Sequence, residues 1–146
     1  MKTWQGVIVV AYIRSPQRIL LIENTKRQKV TLLSGAVEPE DGGSLVKAAV
    51  RELHEEVGWR VAETALIPTN LYHQFIYAAD KPGRGGDNGS NRVFLLDASD
   101  MTEPLCGEPG FRPRWAAVDE AERLISFDDL KPVLSQTMRL LPNEYA

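Results

Sequence analysis

Residues 44–58 read Ser44-Leu45-Val46-Lys47-Ala48-Ala49-Val50-Arg51-Glu52-Leu53-His54-Glu55-Glu56-Val57-Gly58. At about 100° per residue, Val46, Ala49, Val50, Leu53 and Val57 share one arc, the core-facing stripe of an amphipathic helix. Ser44 is a suitable N-cap, and Gly58 ends the helix just past Val57. Glu52, Glu55 and Glu56, at i, i+3 and i+4, fall on an adjacent arc at the edge of that stripe. Three carboxylates placed there repel one another. Lys47 and Arg51 are the nearby cations, and His54 projects from the other flank. A hard divalent cation would resolve the repulsion, because magnesium takes carboxylate, carbonyl and water oxygens and couples them to substrate phosphates. The alternative is an acidic, solvated helix face.

Around this helix the chain alternates strands and turns. Trp4 to Ile13 and Ile19 to Ile22 read as strands about a Ser15-Pro16-Gln17 turn, and Val30 to Leu33 as a third strand. Ser34 to Gly43 changes character, with Gly35, Pro39, Gly42 and Gly43 set among Glu38, Glu40 and Asp41, and must be loop. Arg60 to Pro68 and Leu71 to Ala78 read as two further strands, 80–91 as a Gly-rich stretch, and Arg92 to Leu96 as a strand. Cys106 to Pro113 reads as loop and Arg114 to Val118 as a short strand. A short helix over Asp119 to Leu124, with an Asp N-cap, and a closing helix over Leu130 to Leu141 complete the class, α+β or a mixed three-layer sandwich.

The 146 residues fit a single domain spanning 1–146, and 43% hydrophobic with 25% charged residues excludes the disordered class. No apolar run approaches the roughly 20 residues that cross a bilayer, so no membrane partner is expected. The N-terminal stretch lacks the pattern of a secretory signal, and the lone Cys106 cannot form an internal disulfide, so a reducing, cytoplasmic setting is the expectation. A net charge of −3 argues against a broad basic nucleic-acid surface.

Arg51-Glu52-Leu53-His54-Glu55-Glu56-Val57-Gly58 resembles the second half of the Nudix box, G-x5-E-x7-R-E-U-x-E-E-x-G-U, and Leu33 to Pro39 resembles the loop that opens it. The resemblance implies an α/β/α sandwich with a mixed β-sheet. It also implies hydrolysis of a pyrophosphate bond in a nucleoside diphosphate derivative by water attack on phosphorus, with Mg2+ or Mn2+ as cofactor. On that basis Glu55 and Glu56 match the principal metal carboxylates, and Glu52 a further ligand or the base that activates water. Gly35 would offer a carbonyl to the metal, and Arg51 would orient the carboxylates, in part by an i, i+4 pair to Glu55. Two departures stand out. The box places its first Gly fourteen positions before the Arg, whereas Gly35 and Arg51 are sixteen apart, a loop two residues longer. If the helix register is kept, the expected Glu falls on Gly43, leaving Glu40 and Asp41 as candidates to replace it. Trp59 takes the last, usually aliphatic position.

Many relatives recruit a later acid as base; Glu103, Glu108 and Asp87 are the candidates here, Glu108 favoured because it precedes the Arg114-Trp115 strand. A solvated loop acid is the plainer reading of each. Arg84 is a candidate phosphate contact against a plain hairpin tip. Tyr72 and His73 alternate on a strand and point to opposite faces, so one of them could meet the substrate, against a core aromatic and a surface His. Lys26, Arg27 and Lys29 form a basic cluster that could guide an anion or simply be solvated. Cys106 has no His nearby in sequence to make it a nucleophile. The substrate candidates are nucleoside triphosphates, nucleotide sugars, dinucleoside polyphosphates and an RNA 5′ end, and a homodimer is an expectation from relatives that pair. The competing function is a non-catalytic domain of the same fold that binds a nucleotide or protein as a regulator, which the Gly43 departure keeps open.

Overall fold

The computed structural model describes residues 2–105, 107 and 109–142. It contains strands β1 (Thr3–Arg14), β2 (Gln17–Asn24), β3 (Lys29–Ala36), β4 (Leu66–Ile76), β5 (Asn88–Asp97) and β6 (Phe111–Ala117). Its helices are α1 (Leu45–Val57), α2 (Val118–Leu124) and α3 (Lys131–Met138). The strands form one mixed sheet in the order β4-β5-β1-β3-β2-β6, in which β1 and β5 run parallel and the other neighbours antiparallel. No described helix is long and apolar enough to cross a membrane.

β1 shows why the sheet lies in the middle. Val7, Val9 and Ala11 face α1 in one core, while Ile8, Val10 and Tyr12 face α2 and α3 in another. A central strand buried on both faces reads as a continuous apolar run rather than an alternating one. α1 is capped as its sequence requires: the Ser44 hydroxyl accepts from Lys47 N–H at 3.2 Å, and Gly58 takes φ 76° while its N–H donates to the His54 carbonyl.

The structure corrects four sequence expectations. Arg60 to Pro68 is not a strand: Glu63–Ala65 closes a 3-10 turn, and β4 runs from Leu66 to Ile76 as one strand. Its pairing with β5 breaks between Pro68 and Tyr72, where proline has no N–H to give. Thr69 bridges the break, its hydroxyl donating to the Val93 carbonyl at 2.7 Å and accepting from Leu71 N–H. β5 begins at Asn88, inside the Gly-rich stretch, because its parallel pairing with β1 reaches down to Thr3; Gly89 is required there, as a Cβ would strike the Phe75 ring. β6 begins at Phe111, and its Pro113 is tolerated because β6 is a sheet edge. Finally, Ala117 rather than Asp119 occupies the N-cap of α2, and α3 spans only Lys131–Met138.

Candidate active site

The longer loop between Gly35 and the helix folds into a 3-10 turn over Pro39–Asp41. Glu38 N–H donates to the Asp41 carboxylate at 2.8 Å, and Asp41 N–H to the Glu38 carbonyl at 2.9 Å. Gly42 and Gly43 follow at φ 60° and 80°, left-handed conformations that carry the chain into the Ser44 cap. Position 43 therefore serves the backbone, and its missing carboxylate comes from Asp41 instead.

Asp41 is 3% exposed and receives Arg51 in a fork: Nε donates to Oδ1 at 3.0 Å and Nη2 to Oδ2 at 2.9 Å. Nη2 also donates to the Ala36 carbonyl at 2.9 Å, while Nη1 donates to Glu52 at 3.0 Å and Glu55 at 3.2 Å. Guanidinium carries five N–H donors, so these five bonds account for its full capacity. Glu40 stays at 3.8 Å from Nε with a largely solvated side chain. Arg51 holds the Asp41 carboxyl well below the usual carboxylate range, with the bond from Glu38 N–H adding to the effect and burial opposing it.

Glu52 touches the same guanidinium but behaves in the opposite way. It is 9% exposed, and its carboxyl is pushed up to about 7, foremost by burial. The Arg51 charge opposes that rise and the Glu55 charge adds to it, while a hydrogen bond with Glu56 lowers it further. Gly35 makes room for this carboxylate, because a Cβ at that position would run into Glu52. Sequence reading placed Gly35 at the site for its carbonyl; the structure brings it to the site by the absence of a side chain. Glu55 is half-exposed, and Glu56 lines a small hollow with Ile22, Phe111 and Pro113.

These donors fit a hard cation. Glu52 and Glu56 are carboxylates close enough to hydrogen-bond, one of them desolvated, with Glu55 half-exposed on the same helix. Among the described residues, no three His, Cys, Asp or Glu side chains close into a cage. Magnesium does not require one, since it commonly keeps several waters and completes its shell with substrate phosphates.

The remaining candidates are dispersed. Arg84 lies over the Trp4 ring at 4.3 Å, donates to the Tyr77 hydroxyl at 3.2 Å, and reaches Glu38 of the box loop at 4.0 Å, so it pins the Gly-rich stretch rather than standing free. Asp87 accepts from the Trp4 indole at 3.0 Å and anchors the same stretch. Tyr72 is half-exposed on edge strand β4, opposite Arg92, on the far side of β5 and β1 from the box. Glu103 is exposed beyond the end of β5, and Glu108 and Cys106 lie outside the described residues. His73, expected at the surface, is instead half-buried in the wall of a cleft, with its Nε2 fully covered.

That cleft, of about 350 Å³, lies on the sheet face opposite α1. His73 and Phe75 form one wall, Phe127 and Asp129 another, and Ser34 and Asn91 contribute a hydroxyl and an amide. Thr31 and Phe127 also line a second hollow of about 210 Å³ that holds Arg27 and Lys29. Ile22 and Phe111 line both this hollow and the one at Glu56. The three hollows thus share lining residues, although the box carboxylates lie on the α1 side of the sheet and the cleft, apolar with polar groups in its walls, on the other. Sequence reading missed the cleft because Phe127 and Asp129 reach it from the far end of the chain; the run of aromatic rings at 73, 75 and 77 was its visible signal.

A family model for the NUDIX domain matches residues 3–140. A sequence comparison with curated proteins gives no match. Among solved structures, the E. coli dihydroneopterin triphosphate pyrophosphohydrolase is similar with a TM-score of 0.77 at 19% identity, covering 96% of this chain and 100% of that one. An Ap4A hydrolase from C. elegans, solved as a binary complex, gives 0.73 at 17% identity, covering 94% and 96%. A structure from work on MutT of Aliivibrio salmonicida and Vibrio cholerae gives 0.69 at 20% identity, covering 96% and 100%.

Proposed function

Because the chain belongs to the NUDIX family, we propose that it hydrolyses a pyrophosphate bond in a nucleoside diphosphate derivative with the help of Mg2+ or Mn2+. The observation that carries this reading is the carboxylate set of α1: Glu52 is buried and tied with Glu55 to Arg51, which Asp41 locks from the other side. The same region of the chain also offers what a nucleotide needs: carboxylates for cation-bound phosphates, cations at Arg27 and Lys29, and an aromatic-walled recess. The solved relatives named above for dihydroneopterin triphosphate and Ap4A are consistent with that substrate class.

Glu52, Glu55 and Glu56 would hold the cation. When bound, it neutralises phosphate charge and lowers the pKa of water. The chain's own residues do the rest. Glu52, buried beside Glu55 and Glu56 and held by Arg51, is the carboxylate to accept the proton of the attacking water. Arg51 fixes the Glu52 and Glu55 carboxylates from one side while Asp41 fixes Arg51 from the other. Arg27 and Lys29 offset the charge of the phosphates beyond the scissile bond. The Gly43 departure would favour a binding-only domain if Arg51 lacked its supporting carboxylate, and Asp41 supplies that carboxylate.

The test is a panel of nucleoside triphosphates, nucleotide sugars, dinucleoside polyphosphates and triphosphate-ended RNA, incubated with Mg2+ or Mn2+ and assayed for phosphate and nucleotide products. The expected result is metal-dependent release of two phosphate-bearing products from at least one class. Binding without hydrolysis across the panel would overturn the reading in favour of a regulatory domain.

A further inference from the structure

The cleft ends in a pair of groups that the fold leaves incompletely used. His73 Nε2 lies 3.2 Å from Asp129 Oδ2 yet lacks hydrogen-bond geometry to it, and among the described residues it stands as a buried side-chain nitrogen with no hydrogen-bond partner. Native interiors rarely leave a buried polar atom unmatched, and where one lines a cleft a ligand is the natural complement. The His73 ring is held by stacking on Phe75, with centroids 5.1 Å apart and planes 20° apart. Asp129 is held from the other side. Ser126 N–H donates to the Val30 carbonyl at 2.9 Å and the Ser126 hydroxyl accepts from Val30 N–H at 2.8 Å, which fastens the segment leading to Phe127 and Asp129 onto β3. The neighbouring Asp128 is turned outward toward Lys131, so Lys131 does not neutralise the cleft carboxylate.

With its proton on Nε2, the imidazole is a donor; the ionised carboxylate beside it has two oxygens and can only accept. Read across the cleft, the site offers one donor and then two acceptors. The complementary ring edge carries one acceptor and then two N–H donors side by side. A 2-amino-6-oxopurine, the guanine type, presents that order as O6, N1–H and the 2-amino group. Hypoxanthine lacks the last donor, and adenine turns the unprotonated N1 lone pair toward the carboxylate. Phe75 and Phe127 supply apolar walls for the ring faces.

Resting on the nucleotide-hydrolase reading above, we propose that His73 and Asp129 are specificity-determining residues that select a guanine-type base in this cleft, Asp129 accepting from N1–H and the 2-amino group and His73 donating to O6. Binding of GTP, ITP and ATP to the full chain in EDTA, where metal-dependent hydrolysis does not interfere, tests it by calorimetry. GTP is expected to bind at least about tenfold more tightly than ITP or ATP, as befits bonds to a charged group. Asp129→Asn should bring GTP to within about twofold of ITP. His73→Phe, which keeps the stacked ring, should weaken GTP while leaving ATP nearly unchanged, with thermal melts of both variants confirming the fold. Equal affinities for the three nucleotides, or a GTP preference that survives both substitutions, would overturn the assignment. Metal-dependent turnover without base preference would overturn it alone. GTP-selective binding that both variants abolish, without any hydrolysis, would support it and count against the enzymatic reading.

Discussion

Asp41 and Glu52 sit on opposite sides of one guanidinium and are both almost wholly buried, yet their carboxyl groups are displaced in opposite directions. Asp41 receives two forked bonds from Arg51 and one from a backbone N–H, so its charge is fully matched and its proton is held off. Glu52 receives a single bond from Arg51 and has the Glu55 charge beside it, and burial outweighs the help of Arg51 and of a hydrogen bond with Glu56. The difference separates structure from chemistry within one side-chain network. A buried carboxylate whose acceptor capacity is met by the fold stabilises the loop. One left under-compensated beside other carboxylates is available for a cation, a proton or both.

The largest effect expected from breaking this division is on turnover. Glu56→Gln should lower metal-dependent kcat by about a hundredfold or more with the melting temperature little changed, since a metal ligand contributes at least as much as the groups that orient it. Next comes Asp41→Ala. It strips the fork from Arg51, and chemical unfolding should report a loss of about 3 kcal/mol, in the range for breaking a buried ion pair. Because Asp41 is held below its ordinary range, the stability it contributes is fully present above about pH 4 and is lost as pH falls through its folded-state value. The wild type should therefore shed stability in that acid window, and Asp41→Ala should not. Gly35→Ala sharpens the comparison from the Glu52 side. The added methyl displaces that carboxylate, and kcat should fall by about ten- to a hundredfold, the cost of misplacing a reacting group by around 1 Å. Glu40→Gln is the smallest: its largely solvated carboxylate, 3.8 Å from Arg51, should move unfolding free energy by no more than about 0.5 kcal/mol.

Much of this site was visible in the sequence because it is local. The helix, its Ser44 and Gly58 caps, the buried stripe and the Arg51–Glu55 pair all follow from spacings of three and four within one element. The choice between Glu40 and Asp41 was not visible. It is decided by the 3-10 turn, which points position 41 inward and leaves position 40 in solvent, and adjacent acidic residues carry no mark of that. The limits of β4 and β5 are not legible locally because they depend on pairing across the sheet, with Thr69 bridging a break at Pro68 and β1 drawing the Gly-rich stretch into a strand. His73 and Tyr72 show the same limit. Alternation placed them on opposite faces, but which face met a cleft was fixed by Phe127 and Asp129, more than fifty residues away.

The central claim, that Glu52 is a buried carboxylate held under-compensated for chemistry, has a direct test. Unfolding free energies of the wild type and Glu52→Gln would be measured in EDTA from pH 4 to 9. With its folded-state value raised to about 7 from an ordinary 4.5, Glu52 keeps its proton in the folded chain after the unfolded chain has lost it. Wild-type stability should therefore decline between those two values relative to the variant, by about 1 kcal/mol or more, and then level off. A difference between the two proteins that stays flat across that window, or that grows in favour of the wild type, would contradict the account.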